Sequence, residues 1–228
     1  MTIKACVFDA YGTLFDVSAA AREAAAEPGR ESLAACWQAL AETWRNKQLG
    51  YSWLRAITGA HADFWQVTGE ALDYAMEEQG LDDAELRERL LALYFELSAY
   101  PEVPEMLGTL KAAGFATAIL SNGSPDMLMG AVTSAGIGEL LDAVISVEDV
   151  GVFKPDRSVY DLVGTTLNVT SAEVLFVSSN GWDAAAGAGY GFNTAWVNRS
   201  GLPLDRLPWQ PSHVLTDLTP IPDLAGRL

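Results

Sequence analysis

Val7-Phe8-Asp9-Ala10-Tyr11-Gly12-Thr13-Leu14-Phe15 reads as a buried strand that ends in a carboxylate and a tight loop. Ile3, Ala5, Val7 and Phe8 supply the apolar, partly β-branched run of a strand covered on both faces. Asp9 stands where strand gives way to loop, and Gly12 lets the backbone fold back closely. In open α/β sheets, ligands bind beyond the carboxyl ends of the strands. Two readings of Asp9 follow. It is a nucleophile beside backbone N–H groups that form an anion-binding nest, or it merely caps the next turn.

Working outward, the pattern changes from strand to helix after Phe15. Helices are predicted over 17–26, over 31–49 with Gly50 as a stop, over 53–57 and over 62–79, with one more starting at Asp82-Asp83. Leu33, Trp37, Leu40 and Trp44 fall at helical spacing. No strand signal occurs between Phe15 and Tyr100. Residues 16–98 therefore read as a helical cap inserted into a core made of 1–15 and 99–228. Past Pro101, strands at 115–120, 143–147, 174–177 and 195–197 alternate with helices, and 213–215 reads as an edge strand. That alternation predicts an α/β fold, a doubly wound parallel sheet with right-handed crossovers.

The chain has 228 residues, half of them hydrophobic, and a net charge of −16. This excludes nucleic acid, which demands basic patches, and disfavours an anionic membrane surface. An anionic small molecule stays open, because charges are screened beyond about 8 Å at physiological salt. A few local cations must then do the capturing. Cys6 and Cys36 are the only cysteines, too few for a disulfide framework or a zinc site. Lys4 and Asp9 interrupt any N-terminal apolar run, and no stretch approaches the roughly 20 apolar residues of a membrane span. A cytoplasmic, reduced setting is the expectation.

If the sheet is doubly wound, four strand ends bring Asp9, Ser121-Asn122, Lys154 and Ser178-Asn180-Asp183 to one crevice. Each has a plainer reading. Ser121 and Asn122 fit a turn, Thr13 closes a loop, Tyr160 fits a core aromatic, Lys154 a surface lysine and Asp183 a helix N-cap. Arg45 fits an exposed ion pair with Glu42, worth a few tenths of a kcal/mol.

The motifs in order tip the balance. Asp9-Ala10-Tyr11-Gly12-Thr13, Ile119-Leu120-Ser121-Asn122-Gly123, Lys154-Pro155 and Phe176-Val177-Ser178-Ser179-Asn180-Gly181-Trp182-Asp183 resemble motifs I to IV of the haloacid dehalogenase superfamily. Trp44-Arg45-Asn46-Lys47-Gln48-Leu49 resembles a signature of its L-2-haloacid dehalogenase branch. The resemblance implies a Rossmann-like core and Asp9 as nucleophile, kept ionised by Lys154 and bonded by Thr13. It implies that Asp183 helps to activate water, with Asn180 and Ser178 orienting the site. It makes the Ser121 hydroxyl and neighbouring N–H groups a cradle for the substrate carboxylate, with Ala10 and Tyr11 among the contacts. Asn122 would lie near the halide pocket, and Arg45 would stabilise the departing halide. Tyr160 would stand at the edge of the site, and Leu49, Phe64 and Trp182 would form apolar walls. Asn46 replaces the glutamine expected of the branch, which would alter pocket size. Homodimers are common in the family, and the Trp-rich cap could supply an apolar interface for one.

Most superfamily members are Mg²⁺-dependent phosphatases with a second Asp two residues after the nucleophile. Here that residue is Tyr11, and Ser178, Ser179 and Asn180 leave only Asp183 in the last motif. A halide leaves without a proton, and two carboxylates make a poor Mg²⁺ site. The expectation is therefore an enzyme without metal or cofactor that converts short L-2-haloalkanoates to D-2-hydroxy acids. A phosphatase of the same fold and a non-catalytic small-acid-binding protein are the rivals.

Overall fold

The computed structural model describes residues 2–228. Strand β1 (Ala5–Phe8) is followed by five helices: α1 (Ala19–Ala25), α2 (Glu31–Ala34), α3 (Trp37–Thr58), α4 (Phe64–Glu78) and α5 (Ala84–Phe95). The chain then runs through α6 (Val103–Ala112), β2 (Ala116–Ser121), α7 (Pro125–Ser134) and β3 (Ala143–Ser146). It continues with α8 (Arg157–Leu167), β4 (Val174–Ser178), α9 (Gly181–Tyr190), β5 (Asn193–Val197), β6 (His213–Leu215) and α10 (Ile221–Arg227).

The six strands form one parallel sheet in the order β3-β2-β1-β4-β5-β6. This is the doubly wound order, and it places the topological switch point between β1 and β4. Phe8 pairs with both Ile119 and Val177, so the ends of β1, β2 and β4 lie level. All four β1 residues are fully buried, as a central parallel strand requires. Each large apolar side chain such as Phe8 contributes about 1.5–3 kcal/mol by leaving water.

The five helices between β1 and α6 pack chiefly on one another, with α4 lying along α3 and α5 along α1. Both crossings to the sheet are tied side by side. Phe15 bridges Ala99, Asp16 N–H donates to Ser98 O at 3.1 Å, and Tyr100 N–H donates to Leu14 O at 2.9 Å. Asp83 caps α5 by accepting from Leu86 N–H at 2.9 Å, as the Asp82-Asp83 pair foretold.

Three expectations about these helices need correction. The 31–49 helix is broken at Ala35-Cys36, because the short α2 packs on α1 whereas α3 packs on α4. Cys36 consequently stands half-buried at the N-cap of α3, and residues 53–57, expected as a separate helix, belong to α3. Gly50 does not stop the helix; α3 runs on to Thr58 and ends at Gly59, whose φ is +68°. Gly50 weakens α3 by roughly 1 kcal/mol relative to alanine. The buried stripe of Leu40, Trp44, Gln48 and Ser52 carries the helix past it.

Candidate active site

Asp9 is the first residue beyond β1, and its N–H extends the ladder to Val177 O at 2.9 Å. The turn after it depends on Gly12, at φ +88°, whose N–H donates to Phe15 O at 2.7 Å. A Cβ there would stand 3.0 Å from Ser179 Oγ, so the loop ending β1 and the loop ending β4 touch.

The Asp9 carboxylate is nearly buried, and its two oxygens differ. Oδ2 accepts from Thr13 Oγ1 at 3.0 Å and from Asn180 Nδ2 at 2.9 Å. Among the described residues, Oδ1 accepts only from Lys154 Nζ, at 3.2 Å. These contacts replace the turn-capping alternative: Asp9 bonds no backbone N–H of its own loop, and its partners come from three parts of the chain. Thr13 is held in turn by Ser179, whose N–H donates to Thr13 Oγ1 at 2.8 Å.

Lys154 is fully buried, not a surface lysine, and its ammonium also donates to Asp183 Oδ2 at 2.9 Å. Its backbone N–H donates to Asn122 Oδ1 at 2.9 Å, which leaves the Asn122 NH₂ to face a ligand. Burial by itself pushes the Lys154 ammonium down, but the charges of Asp183 and Asp9 outweigh it and hold the group above its ordinary value. Two carboxylates share one cation. Burial therefore raises the Asp183 carboxyl; Lys154 pulls it back and Asp9 adds to the rise.

Asp183 is not the N-cap of its helix. Asn180 is the N-cap of α9, and Asp183 lies in the first turn, turned inward to Lys154 and to Tyr160 Oη at 2.8 Å. Tyr160 is a core aromatic among Phe176, Tyr190 and Phe192 and at the same time stands behind Asp183 at the rim of the cluster, without lining the cavity itself. Ser178, fully buried at the end of β4, accepts from Asn180 N–H at 3.1 Å and so acts through Asn180.

Arg45 descends from α3 over this cluster. Its Nη2 donates to Asn180 Oδ1 at 3.0 Å and to Tyr11 O at 3.3 Å; among the described residues it pairs with no carboxylate, Glu42 included. Because Asn180 Oδ1 faces the guanidinium, its NH₂ must face Asp9, which fixes the amide orientation. Asp9, Tyr11, Arg45, Leu49, Phe64, Ser121, Asn122, Lys154, Asn180 and Trp182 together enclose a tight cavity, with about 10 Å³ left for a water-sized sphere. Ser121 Oγ accepts from Gly123 N–H at 3.1 Å, which leaves its own proton for a ligand. Ala10 is buried, with its carbonyl turned to the N–H groups of Thr13, Leu14 and Phe15.

Asn46 does not join the site. It is exposed on the outer side of α3 and lines no part of the cavity. Two positions on, Gln48 points inward instead, donating to Thr68 Oγ1 at 3.0 Å and accepting from Tyr94 Oη at 3.4 Å. Tyr94 stacks on Tyr11 at 5.6 Å, so a polar set inside the helical layer supports the cavity wall. The i+4 spacing of Trp44, Gln48 and Ser52 was the available signal for Gln48, because it shares their buried face.

The donor set does not suit Mg²⁺. Tyr11 occupies the second-carboxylate position, and both Asp183 oxygens are engaged by Lys154 and Tyr160. Among the described residues, no group of three or more His, Cys, Asp or Glu side chains could hold a metal ion. Among those residues, no helix is long and apolar enough to cross a membrane.

Known proteins resemble the chain over nearly its whole length. A family profile described as haloacid dehalogenase-like hydrolase matches residues 3–191. (S)-2-haloacid dehalogenase 1 of Pseudomonas sp. strain CBS-3 is 47% identical over 227 residues, 99% of this chain and 98% of that protein. The solved L-2-haloacid dehalogenase of Xanthobacter autotrophicus superposes with a TM-score of 0.88 at 41% identity, covering 100% of both chains. A second structure of that enzyme, with chloropropionic acid covalently bound, gives a TM-score of 0.85 at 41% identity over 98% of each chain.

Proposed function

Because the chain belongs to the haloacid dehalogenase-like hydrolases, we propose that it hydrolyses short L-2-haloalkanoates to D-2-hydroxy acids through an ester on Asp9, with residues 16–98 serving as the cap. The observation that carries this reading is the inequality of the two Asp9 oxygens. Oδ2 spends both lone pairs on Thr13 and Asn180, whereas Oδ1 keeps one beside Lys154. Oδ1 is the attacking atom.

In the first step, Oδ1 attacks C2 from the side opposite the halogen, the C–halogen bond breaks, and the halide leaves with the bonding pair. Arg45 and the Asn122 NH₂ meet the charge developing on the halide. The Ser121 hydroxyl holds the substrate carboxylate. Orientation within the tight cavity contributes most, an effect that can reach about 7–11 kcal/mol.

In the second step, water attacks Asp9 Cγ and gives up its proton toward Asp183. The negative charge that forms on Oδ2 is met by Thr13 Oγ1 and Asn180 Nδ2, already at 3.0 and 2.9 Å. The Cγ–Oδ1 bond then breaks, and Lys154, 3.2 Å from Oδ1 and 2.9 Å from Asp183 Oδ2, gives a proton to the departing alkoxide and regains one from Asp183, which frees the hydroxy acid and restores the carboxylate. No step calls for a metal. The rival phosphatase reading lacks a proton donor for an alkoxide at Tyr11.

Single-turnover reaction in ¹⁸O water tests the route. The label should enter Asp9, and the first product should carry an unlabelled hydroxyl. Label appearing in the first product would sink the covalent pathway. Halide release from L- but not D-2-chloropropionate, with chelator present, tests substrate and metal independence together. The free thiols of Cys6 and Cys36 support a cytoplasmic setting.

A further inference from the structure

The tight catalytic cavity has a large apolar neighbour. A groove of about 680 Å³ runs between α3 and α9, lined by Trp53, Ile57, Phe153, Ala186, Leu207 and Trp209. Trp182 lines both spaces and is the partition between them. Its ring meets Trp53 edge-on at 5.4 Å, and its buried indole N–H has no acceptor among the described residues. Van der Waals contact, and no hydrogen bond, keeps the ring where it stands.

The two spaces also share a helix face. Arg45, Leu49, Trp53 and Ile57 recur every four residues on α3, so one stripe leads from the halide end of the site into the groove. From Arg45 to Trp53 this is about 12 Å of helix. On the opposite wall, Trp182, Ala185 and Ala186 form the matching stripe of α9, with small side chains that leave the floor of the groove open.

We infer that this groove is a subsite for the alkyl tail of 2-haloalkanoates longer than propionate, reached when the Trp182 indole swings away from Trp53. The inference rests on the proposed dehalogenation and adds chain-length selection to it. Its occupant follows from continuity: the carboxylate and halogen ends of the substrate are fixed by Ser121 and Arg45, and Trp182 and the groove lie next along the α3 stripe. A tail of methylenes matches the apolar walls.

The test compares bromide release from L-2-bromopropionate and L-2-bromohexanoate. In the unmodified protein, KM should fall about two- to fourfold per added methylene. Ala186→Trp, which fills the groove floor, should raise KM for bromohexanoate at least tenfold and leave bromopropionate within twofold. Ile57→Glu, on a side chain 82% exposed and so tolerant of change, should act in the same direction and guards against misfolding of the first variant. Equal effects on both substrates, or none, overturn the subsite. So does a change of oligomeric state by light scattering with both substrates unaffected, which would assign the groove to a second copy of the chain. Bromide from bromopropionate without tail discrimination removes the subsite alone; no bromide from either substrate removes the dehalogenation reading as well.

Discussion

The Tyr160 hydroxyl donates to Asp183 Oδ1 at 2.8 Å from inside an aromatic cluster. Burial and then the charge of Asp183 hold that phenol well above its ordinary value, so it remains a donor at any working pH. The bond lowers the Asp183 carboxyl, against the burial that raises it. Tyr160→Phe should therefore move the acid limb of the pH–rate profile upward, because the proposed mechanism has an ionised Asp183 accept a proton from water. A fall in kcat of about tenfold with little change in KM is expected, from the loss of one hydrogen bond to a charged group. A pH series of kcat checks both.

Arg45 donates to both Asn180 Oδ1 and Tyr11 O through Nη2 alone, which leaves its Nη1 and Nε N–H groups without those two acceptors. Arg45→Lys keeps the charge but loses these remaining planar donors and shortens the reach. We expect kcat to drop by about 10²–10³-fold, as for the loss of an aligned transition-state donor, with thermal stability little changed. Halide-release kinetics and a melting curve decide it.

Lys154→Met leaves Asp9 and Asp183 buried against each other. Removing one member of such a buried set typically costs about 3–5 kcal/mol, and activity should vanish. The pH dependence follows from the raised lysine value. The stabilisation from Lys154 is fully present below its unfolded value, about 10.4, and is lost as pH rises through the higher folded value. The gap in Tm between unmodified protein and variant should thus hold steady at neutral pH and narrow only in strong alkali.

Asn46 and Gln48 separate the exposed and buried sides of α3. Asn46→Ala should leave both stability and KM within experimental spread. Gln48→Ala strands Thr68 and Tyr94 partners and should cost about 1–3 kcal/mol. Urea denaturation of the two variants is the measurement.

Cys6 sits inside β1, where burial lifts its thiol to about 12. It should resist iodoacetamide at pH 8 until the protein unfolds, whereas the half-buried Cys36 should react first. Mass spectrometry of the alkylated native protein reads this out.

The sheet was legible because its strands are continuous apolar runs, each closed by a polar loop. Val174 to Ser178 followed by Ser179-Asn180 is the clearest case. The cap was legible as a region but not in its joints. Gly50 carries a local stop signal that the packing of α3 on α4 overrides, and nothing in Ala35-Cys36 signals a break. At the site, Asp9, Lys154 and Asp183 stood out because they follow predicted strand ends and fall in the stretches that resemble the superfamily's motifs. Asn46 went astray because a residue's number fixes its helix, while the face it presents depends on where the helix ends and how it is rotated. Ser179 escaped because its bond to Thr13 joins residues 166 apart.

The placement of β1 at the centre of the sheet has a consequence for how the protein is made. Asp9 precedes its partners on the ribosome: the ammonium that neutralises it and the amide that bonds it are encoded at 154 and 180, and both strands flanking β1 come after the whole helical insertion. Until then the nascent chain holds a carboxylate it cannot bury, and an apolar strand without neighbours. Helices α1 to α5 can pair among themselves first, so the lid is assembled before there is anything beneath it to cover.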